Sequence, residues 1–361
     1  MKFLFCVQGE GRGHLTQAMA VKQTVEAHGH QVVGVMVGLS SKRSLPEYFE
    51  AAMRVPLVVL PTVEFVYTQN RSVNLPGTVS SALWHARRHR DSLRKIHVMV
   101  REYEPDIILN FFEPLAALYA ASRRRRPPIL VIAHQFMLEH PDYVRARGLR
   151  VQQAGLKWFV QLVGLASTRL ALSLYEAPDL PKKSLFVCPP ILRKQLFDLQ
   201  PDPDGKFALV YLLNHGYADQ IIRWHQAHPE LELHCFYDRP GAPPEQRHDA
   251  TLTFHCLDGN KFLKMMAACR CVVSTAGFES VGEAAYLGKP MFLVPVQNHI
   301  EQQLNALDAV RLGLGITDNS FQLDRLAELP ARLPTDEFRA WVQRAESILM
   351  RTIERVAENY P

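Results

Sequence analysis

Residues 272–306 read VVSTAGFESVGEAAYLGKPMFLVPVQNHIEQQLNA. An apolar, β-branched run ends at Thr275, the chain passes through Ala276-Gly277, and helix formers begin at Phe278. A strand that turns so tightly into a helix is the repeating half-unit of a parallel α/β sheet. The first N–H groups of such a helix have no intrahelical acceptor, and Gly277 lets a ligand come close to the backbone, so the turn suits a diphosphate. Ser280 adds a hydroxyl in the first turn. Glu283 follows six residues after Gly277, where a carboxylate can accept from both hydroxyls of a ribose. The Gly288-Lys289-Pro290 turn leads into the strand MFLVP, and Glu301 and Gln302 then open a further helix with acceptors that suit sugar hydroxyls.

The same strand–helix rhythm runs through the rest of the chain. Strand-like runs at 1–8, 31–38, 55–61, 106–112, 128–134, 168–174 and 185–189 form one series. A second series lies at 206–213, 232–237, 251–257, 271–275 and 290–295. The spacing predicts two doubly wound, Rossmann-like domains, 1–190 and 206–335, joined by the Pro- and Asp-rich linker 191–205. Residues 336–360 carry Phe338, Trp341, Val342, Ala345, Ile348, Leu349, Ile353 and Val356 on one stripe. They predict a long amphipathic helix whose apolar face needs covering.

With 361 residues, 47% of them apolar and 21% charged, the composition is that of a soluble globular protein of two ordinary domains. No uncharged apolar run reaches membrane-spanning length, and the first residues enter a strand without a signal layout, so the expected location is cytoplasmic. Six cysteines without a C-x-x-C read as buried thiols of a reducing compartment rather than disulfide or zinc ligands. The net charge of +5 is unevenly spread: residues 1–190 hold 24 Lys and Arg against 14 Asp and Glu, and residues 191–361 hold 17 against 22. The basic stretches HARRHRDSLRKIH (85–97) and RRRR (123–126) are either solvated helix faces or a peripheral contact with an anionic membrane surface. In 83–103, Leu93, Ile96, Val100 and Tyr103 recur at helical spacing, which places most of the arginines outside. No aromatic-interleaved RNA motif accompanies them, so nucleic acid is not an expected partner. The segment VQQAGLKWFVQLVGLAS (151–167) clusters Leu156, Trp158, Phe159, Leu162 and Val163. Core burial is expected for most of these.

Near the N-terminus, GEGRGH (9–14) links the first strand to the first helix. Gly9, Gly11 and Gly13 approach a dinucleotide fingerprint, but that fingerprint needs an acidic residue after the second strand. Here LSSKRS follows instead. The glycines read as a tight turn, and His14 at the helix start is left as its chemical group.

The stretch 272–306 resembles the donor-binding signature of inverting glycosyltransferases of the GT-B fold, a family that includes the UDP-glycosyltransferases and the lipid-linked peptidoglycan N-acetylglucosaminyltransferases. The plant motif runs H-C-G-W-N-S-x-x-E, then G-x-P and D-Q. This chain has Thr275, Gly277, Glu279, Ser280 and Glu283, then Gly288, Pro290, Glu301 and Gln302. Thr275 replaces the family's His and Glu279 its Asn. The resemblance implies an α/β GT-B fold with two Rossmann-like domains facing across a cleft and the C-terminal helix packing back towards the N-terminal domain. It implies that Gly277, Phe278 and Ser280 hold phosphate, that Glu283 holds the ribose, and that Glu301 and Gln302 touch the donor sugar. The segment 257–269 lies where the family places the base.

In that family the acceptor sits on the N-terminal domain, and His14 stands where many members keep a general base. Gly11, Arg12 and Gly13 flank it in the expected acceptor cleft, and His134 and Gln135 end a later strand on the same side. Relatives pair the histidine with an Asp in a D-F-E-P-like turn. Here the turn is NFFEP (110–114), with Phe111 at the Asp position, so Glu113 or Asn110 is the substitute partner the sequence offers. Three roles stay open for His14: base, acceptor-positioning group, or polar residue at a helix start. No D-x-D and no E-x7-E occurs at the site, which points to inversion without a metal or other cofactor. The expected reaction moves a sugar from a UDP- or dTDP-sugar to a hydroxyl of a sugar or lipid-linked acceptor of the cell envelope. A UDP-sugar epimerase and a non-catalytic nucleotide-sugar binder are the competing readings.

Overall fold

A computed structural model gives the structure and describes residues 1–40, 43–62, 86–123, 125–146, 148–212, 215–237, 239 and 241–358; the side chains of 86–88 and 215 fall outside that description. The side chains of Arg87 and Arg88, residue Arg124, and residues 359–360 of the expected closing helix therefore lie outside that description. The chain divides into two compact units, Met1–Arg193 with Trp341–Pro361, and Lys194–Ala340.

The first unit is built on a parallel sheet of β1 (Lys2–Gln8), β2 (Gln31–Leu39), β3 (Leu57–Pro61), β4 (Ile107–Phe111), β5 (Ile129–Ala133), β6 (Thr168–Leu172) and β7 (Leu185–Cys188), in the order 3-2-1-4-5-6-7. Phe3–Val7 and all of β4 and β5 are buried, so both sheet faces are covered and the strands read as continuous apolar runs rather than alternating ones. Helices α1 (Arg12–Ala27), α2 (Glu47–Met53), α3 (Ala86–Tyr103), α4 (Pro114–Ser122) and α5 (Arg150–Val163) make the crossovers. On α3, Ile96, Met99 and Val100 are buried while Arg90, Arg94, Lys95 and Arg101 are exposed, as the helical spacing requires.

The second unit repeats the plan with β8 (Ala208–Leu212), β9 (Leu233–Tyr237), β10 (Glu245–Arg247), β11 (Leu252–Cys256), β12 (Cys271–Ser274), β13 (Met291–Leu293) and β14 (Gly315–Thr317), ordered 10-11-9-8-12-13-14. Among the described strands of this unit only β10 pairs antiparallel, at the edge. Its helices are α6 (Ala218–Ala227), α7 (Gly259–Ala268), α8 (Phe278–Tyr286) and α9 (Ile300–Arg311). Residues 194–205, expected as linker, pack into this unit: the Asp202 amide donates to the Ala267 carbonyl (2.8 Å), and Lys289 Nζ donates to the carbonyls of Asp202 (2.6 Å) and Cys269 (2.7 Å).

The expected closing helix is two helices, α10 (Asp336–Gln343) and α11 (Ala345–Glu358). Between them the Arg344 amide reaches the Trp341 carbonyl three residues back (3.1 Å), a tighter turn than the α-helical one. Trp341 donates its indole N–H to the Ser173 carbonyl (3.0 Å), and Arg344 pairs with Glu176 (2.6 Å), which seats α11 on the first unit.

All six cysteines are free and five are buried. Core burial expected for the 151–167 cluster is corrected by the structure. Of the five residues only Val163 is buried, whereas Trp158 is 46% and Leu162 40% exposed. Val151 (83%), Trp158, Leu162 and Leu165 (49%) fall on one stripe of α5 and the turn after it, facing solvent instead of the sheet.

Candidate active site

In a doubly wound sheet the ligand crevice opens where strand order reverses, beyond the carboxyl ends of the two central strands. Those strands are β1 and β4 in the first unit and β8 and β12 in the second. GEGRGH leaves β1 and NFFEP leaves β4; Thr275-Ala276-Gly277 leaves β12. The stretches singled out in the sequence are therefore the loops at the two reversal points.

In the first unit the Gly9 amide donates to the Gly38 carbonyl (2.8 Å), and a Cβ at Gly9 would lie 2.4 Å from a Leu39 methyl. This glycine is fixed by contact with β2. Gly11 is the N-cap of α1, with Arg12 and Gly13 in its first turn. Glu10 accepts from the Ser40 amide (2.6 Å) and hydroxyl (3.2 Å), tying the loop to the end of β2. The half-buried His14 ring stacks on Phe112 at 5.6 Å and 21°. Its Nδ1 donates to Gln17 Oε1 (3.3 Å), one turn along α1, which leaves Nε2 as the basic atom. Gln17 thus stands beside His14 where the sequence suggested a carboxylate. Its signal was present as His and Gln at i and i+3 on one helix face.

Phe111 is buried against Phe5 (5.1 Å), and Phe112 has a φ of +60°, a strained state for a bulky residue. Asn110 holds that turn from both sides: its Oδ1 accepts from the Glu113 amide (2.7 Å) and its Nδ2 donates to the Glu113 carbonyl (3.1 Å). Glu113 is 2% exposed and bonds elsewhere than to His14. Its Oε1 accepts from Thr62 Oγ1 (2.6 Å) and from the Leu115 amide (3.1 Å), capping α4, while Oε2 lies against the Cα of Gly38. Burial pushes its pKa up to about 7, with bonds from Thr62 and Leu115 pulling the other way. His134 and Gln135 are buried at the end of β5, and the neighbouring Phe136 ring lies 6.0 Å from Phe112. The acceptor-side residues named from the sequence thus gather at the ends of β1, β4 and β5.

In the second unit Gly277 is the N-cap of α8 and brings no capping oxygen of its own. A Cβ there would meet only Ser280 Oγ, at 3.6 Å, so packing does not demand a glycine and the space over the turn is open. Ser280 Oγ donates to the Gly277 carbonyl (2.9 Å). Phe278 and Glu283 are buried in α8. Glu301 is half-buried in the first turn of α9. Gln302 is buried, its Oε1 accepting from the Val296 amide (2.9 Å). Two residues not singled out from the sequence stand behind this turn: Ser274 and Asn305, both bonded to Ala276.

Two doubly wound sheets of Rossmann order, each with its loops gathered at the reversal point, make the GT-B fold. Solved structures carry the same fold. Arabidopsis thaliana UGT89C1 complexed with UDP matches at TM-score 0.60 and 14% identity, over 99% of this chain and 98% of its own. UDP-GlcNAc 2-epimerase from Neisseria meningitidis, bound to UDP-GlcNAc, matches at TM-score 0.61 and 13% identity, over 98% of this chain and all (100%) of its own. The chain belongs to glycosyl transferase family 1, whose family model matches residues 1–334. A curated protein of Methanosarcina acetivorans, named an uncharacterized glycosyltransferase, is 22% identical over 334 residues, covering 87% of this chain and 83% of the relative.

Proposed function

We propose that the protein transfers a sugar from a UDP- or dTDP-sugar to an acceptor hydroxyl with inversion at the anomeric carbon. The observation that carries this reading is the β12–α8 turn, with its open glycine, first-turn hydroxyl and buried Glu283. The Gly277 and Phe278 amides and Ser280 hold the diphosphate, Glu283 takes the ribose, and Glu301 with Gln302 stands at the donor sugar. The amides at the helix start offset the charge that develops on the departing nucleotide. On the first unit, His14 Nε2 removes the acceptor proton as its oxygen forms the bond to C1 and the C1–O bond to the nucleotide breaks. Gln17 fixes the tautomer without a charge, so the imidazolium is stabilised less than by a carboxylate partner. Arg12, His134 and Gln135 bind the acceptor, whereas Glu113 and Asn110 act by holding the turn that carries Phe112.

The solvent-facing stripe of Val151, Trp158 and Leu162, with Arg150 and Lys157 exposed beside it, favours an acceptor presented at an anionic membrane surface. No described helix is long and apolar enough to cross a membrane, so the contact proposed is peripheral. The likeness to the epimerase supports a second reading, turnover of a UDP-sugar without an acceptor.

Nucleotide release is measured across UDP- and dTDP-sugars, with and without a membrane lipid extract. The transferase reading requires release that depends on an acceptor. Epimerised sugar in its absence gives the second reading instead. Gly277→Ala separates binding from folding: the melting temperature stays unchanged while UDP affinity falls, and equal UDP affinity would remove the diphosphate from this turn. Trp158→Ser with Leu162→Ser should abolish co-sedimentation with phosphatidylglycerol vesicles, and unchanged sedimentation would remove the membrane contact.

A further inference from the structure

We infer that Asn305 is a positioning residue that aims the Gly277 amide at the donor diphosphate; the inference rests on the donor site proposed above. Ala276 has a φ of +59°, a left-handed state that costs an L-residue energy and persists only where its surroundings hold it. The surroundings hold both of its peptide groups. Its amide donates to Ser274 Oγ (3.3 Å), and its carbonyl accepts from Asn305 Nδ2 (3.0 Å). The two anchors are themselves fixed: the Ser274 carbonyl accepts from the Val294 amide (2.8 Å), and Gln302 in the first turn of α9 accepts from the Val296 amide (2.9 Å). Ala276, Ser274 and Asn305 are all buried.

In a trans peptide the carbonyl of one residue and the N–H of the next point in opposite directions. With the Ala276 oxygen held on Asn305, the Gly277 N–H of the same peptide points away from that side chain. Loss of the Asn305 donor leaves a buried carbonyl without that bond and lets the peptide turn to relieve the left-handed φ. Gly277 N–H then leaves its line to the phosphate. Asn305 therefore acts on the diphosphate through the backbone and leaves the nucleoside contacts untouched.

The test compares binding of UDP and of uridine by calorimetry on the full chain. Asn305→Ala should weaken UDP about tenfold or more, the cost of one hydrogen bond to a charged group, and leave uridine affinity unchanged. Ser274→Ala, which releases the other side of the same residue, should give the same selective loss. Ala276→Gly added to Asn305→Ala should restore part of the UDP affinity, because glycine holds a positive φ without strain. Equal losses for UDP and uridine, or no loss for either, would overturn the positioning role while leaving the donor site standing. Wild-type protein that binds neither probe would overturn the donor site and the inference together.

Discussion

Glu113→Gln tests how the first unit tolerates a buried acid. The carboxyl pKa rises from 4.5 to about 7, with burial as the main cause. The folded state therefore keeps a proton that the unfolded chain releases above pH 4.5. Between pH 4.5 and 7 the native state binds more protons than the unfolded one, so stability declines as pH rises and levels off above 7. A shift of 2.5 units corresponds to about 3 kcal/mol at 1.36 kcal/mol per unit. Glutamine keeps an oxygen for Thr62 and the Leu115 amide and has no charge to desolvate. The variant should match wild type at pH 5 and exceed it at pH 8 by about 3 kcal/mol, or about 6–12 °C in melting temperature for a unit of this size. Thermal melts from pH 5 to 8 read the difference. The same pH slope in both proteins would refute the assignment of the proton to Glu113.

Gly38→Ala would place a Cβ 1.9 Å from Glu113 Oε2 and should destabilise by about 1–3 kcal/mol, most of it recovered in a Glu113→Ala background, as a double-mutant cycle on melting would show. His14→Ala should lower kcat about 10²–10⁴-fold at unchanged UDP affinity, and equal turnover would end its role as base. His255, whose pKa burial, Lys261 and His234 lower from 6.5 to about 4, stays neutral in the fold while the unfolded histidine takes a proton. Stability from this source is intact above pH 6.5 and declines towards pH 4, and His255→Gln should flatten that acid limb in melts.

The twelve strands read from apolar runs are all present because central parallel strands are buried on both faces and announce themselves by composition. The two strands not anticipated, β10 and β14, are three residues each, and β10 is the exposed, charged edge segment Glu-Gln-Arg. Gly277, Ser280 and Glu283 were legible because a strand, a glycine and a helix start constrain one another at fixed spacing. Asn305 and Ser274 were not, since each acts by a single bond to a backbone group whose strained φ no sequence pattern displays. Gln17 was not legible beside His14, because an uncharged amide on the same helix carries no pattern that sets it apart from a solvated polar residue. The outward direction of the α5 stripe was not legible either, because periodicity identifies a face of a helix and not the direction in which it points.

Trp341 and α11 complete the first unit after the chain has run through the whole of the second. During synthesis, then, the second unit is available to fold as one uninterrupted stretch, while the first waits for its last helix with β5 and β7 uncovered. On this topology the first unit can be completed only after the second has been synthesised. A truncation just before Trp341 would strip the unit made earliest, leaving the later one with its own contacts intact.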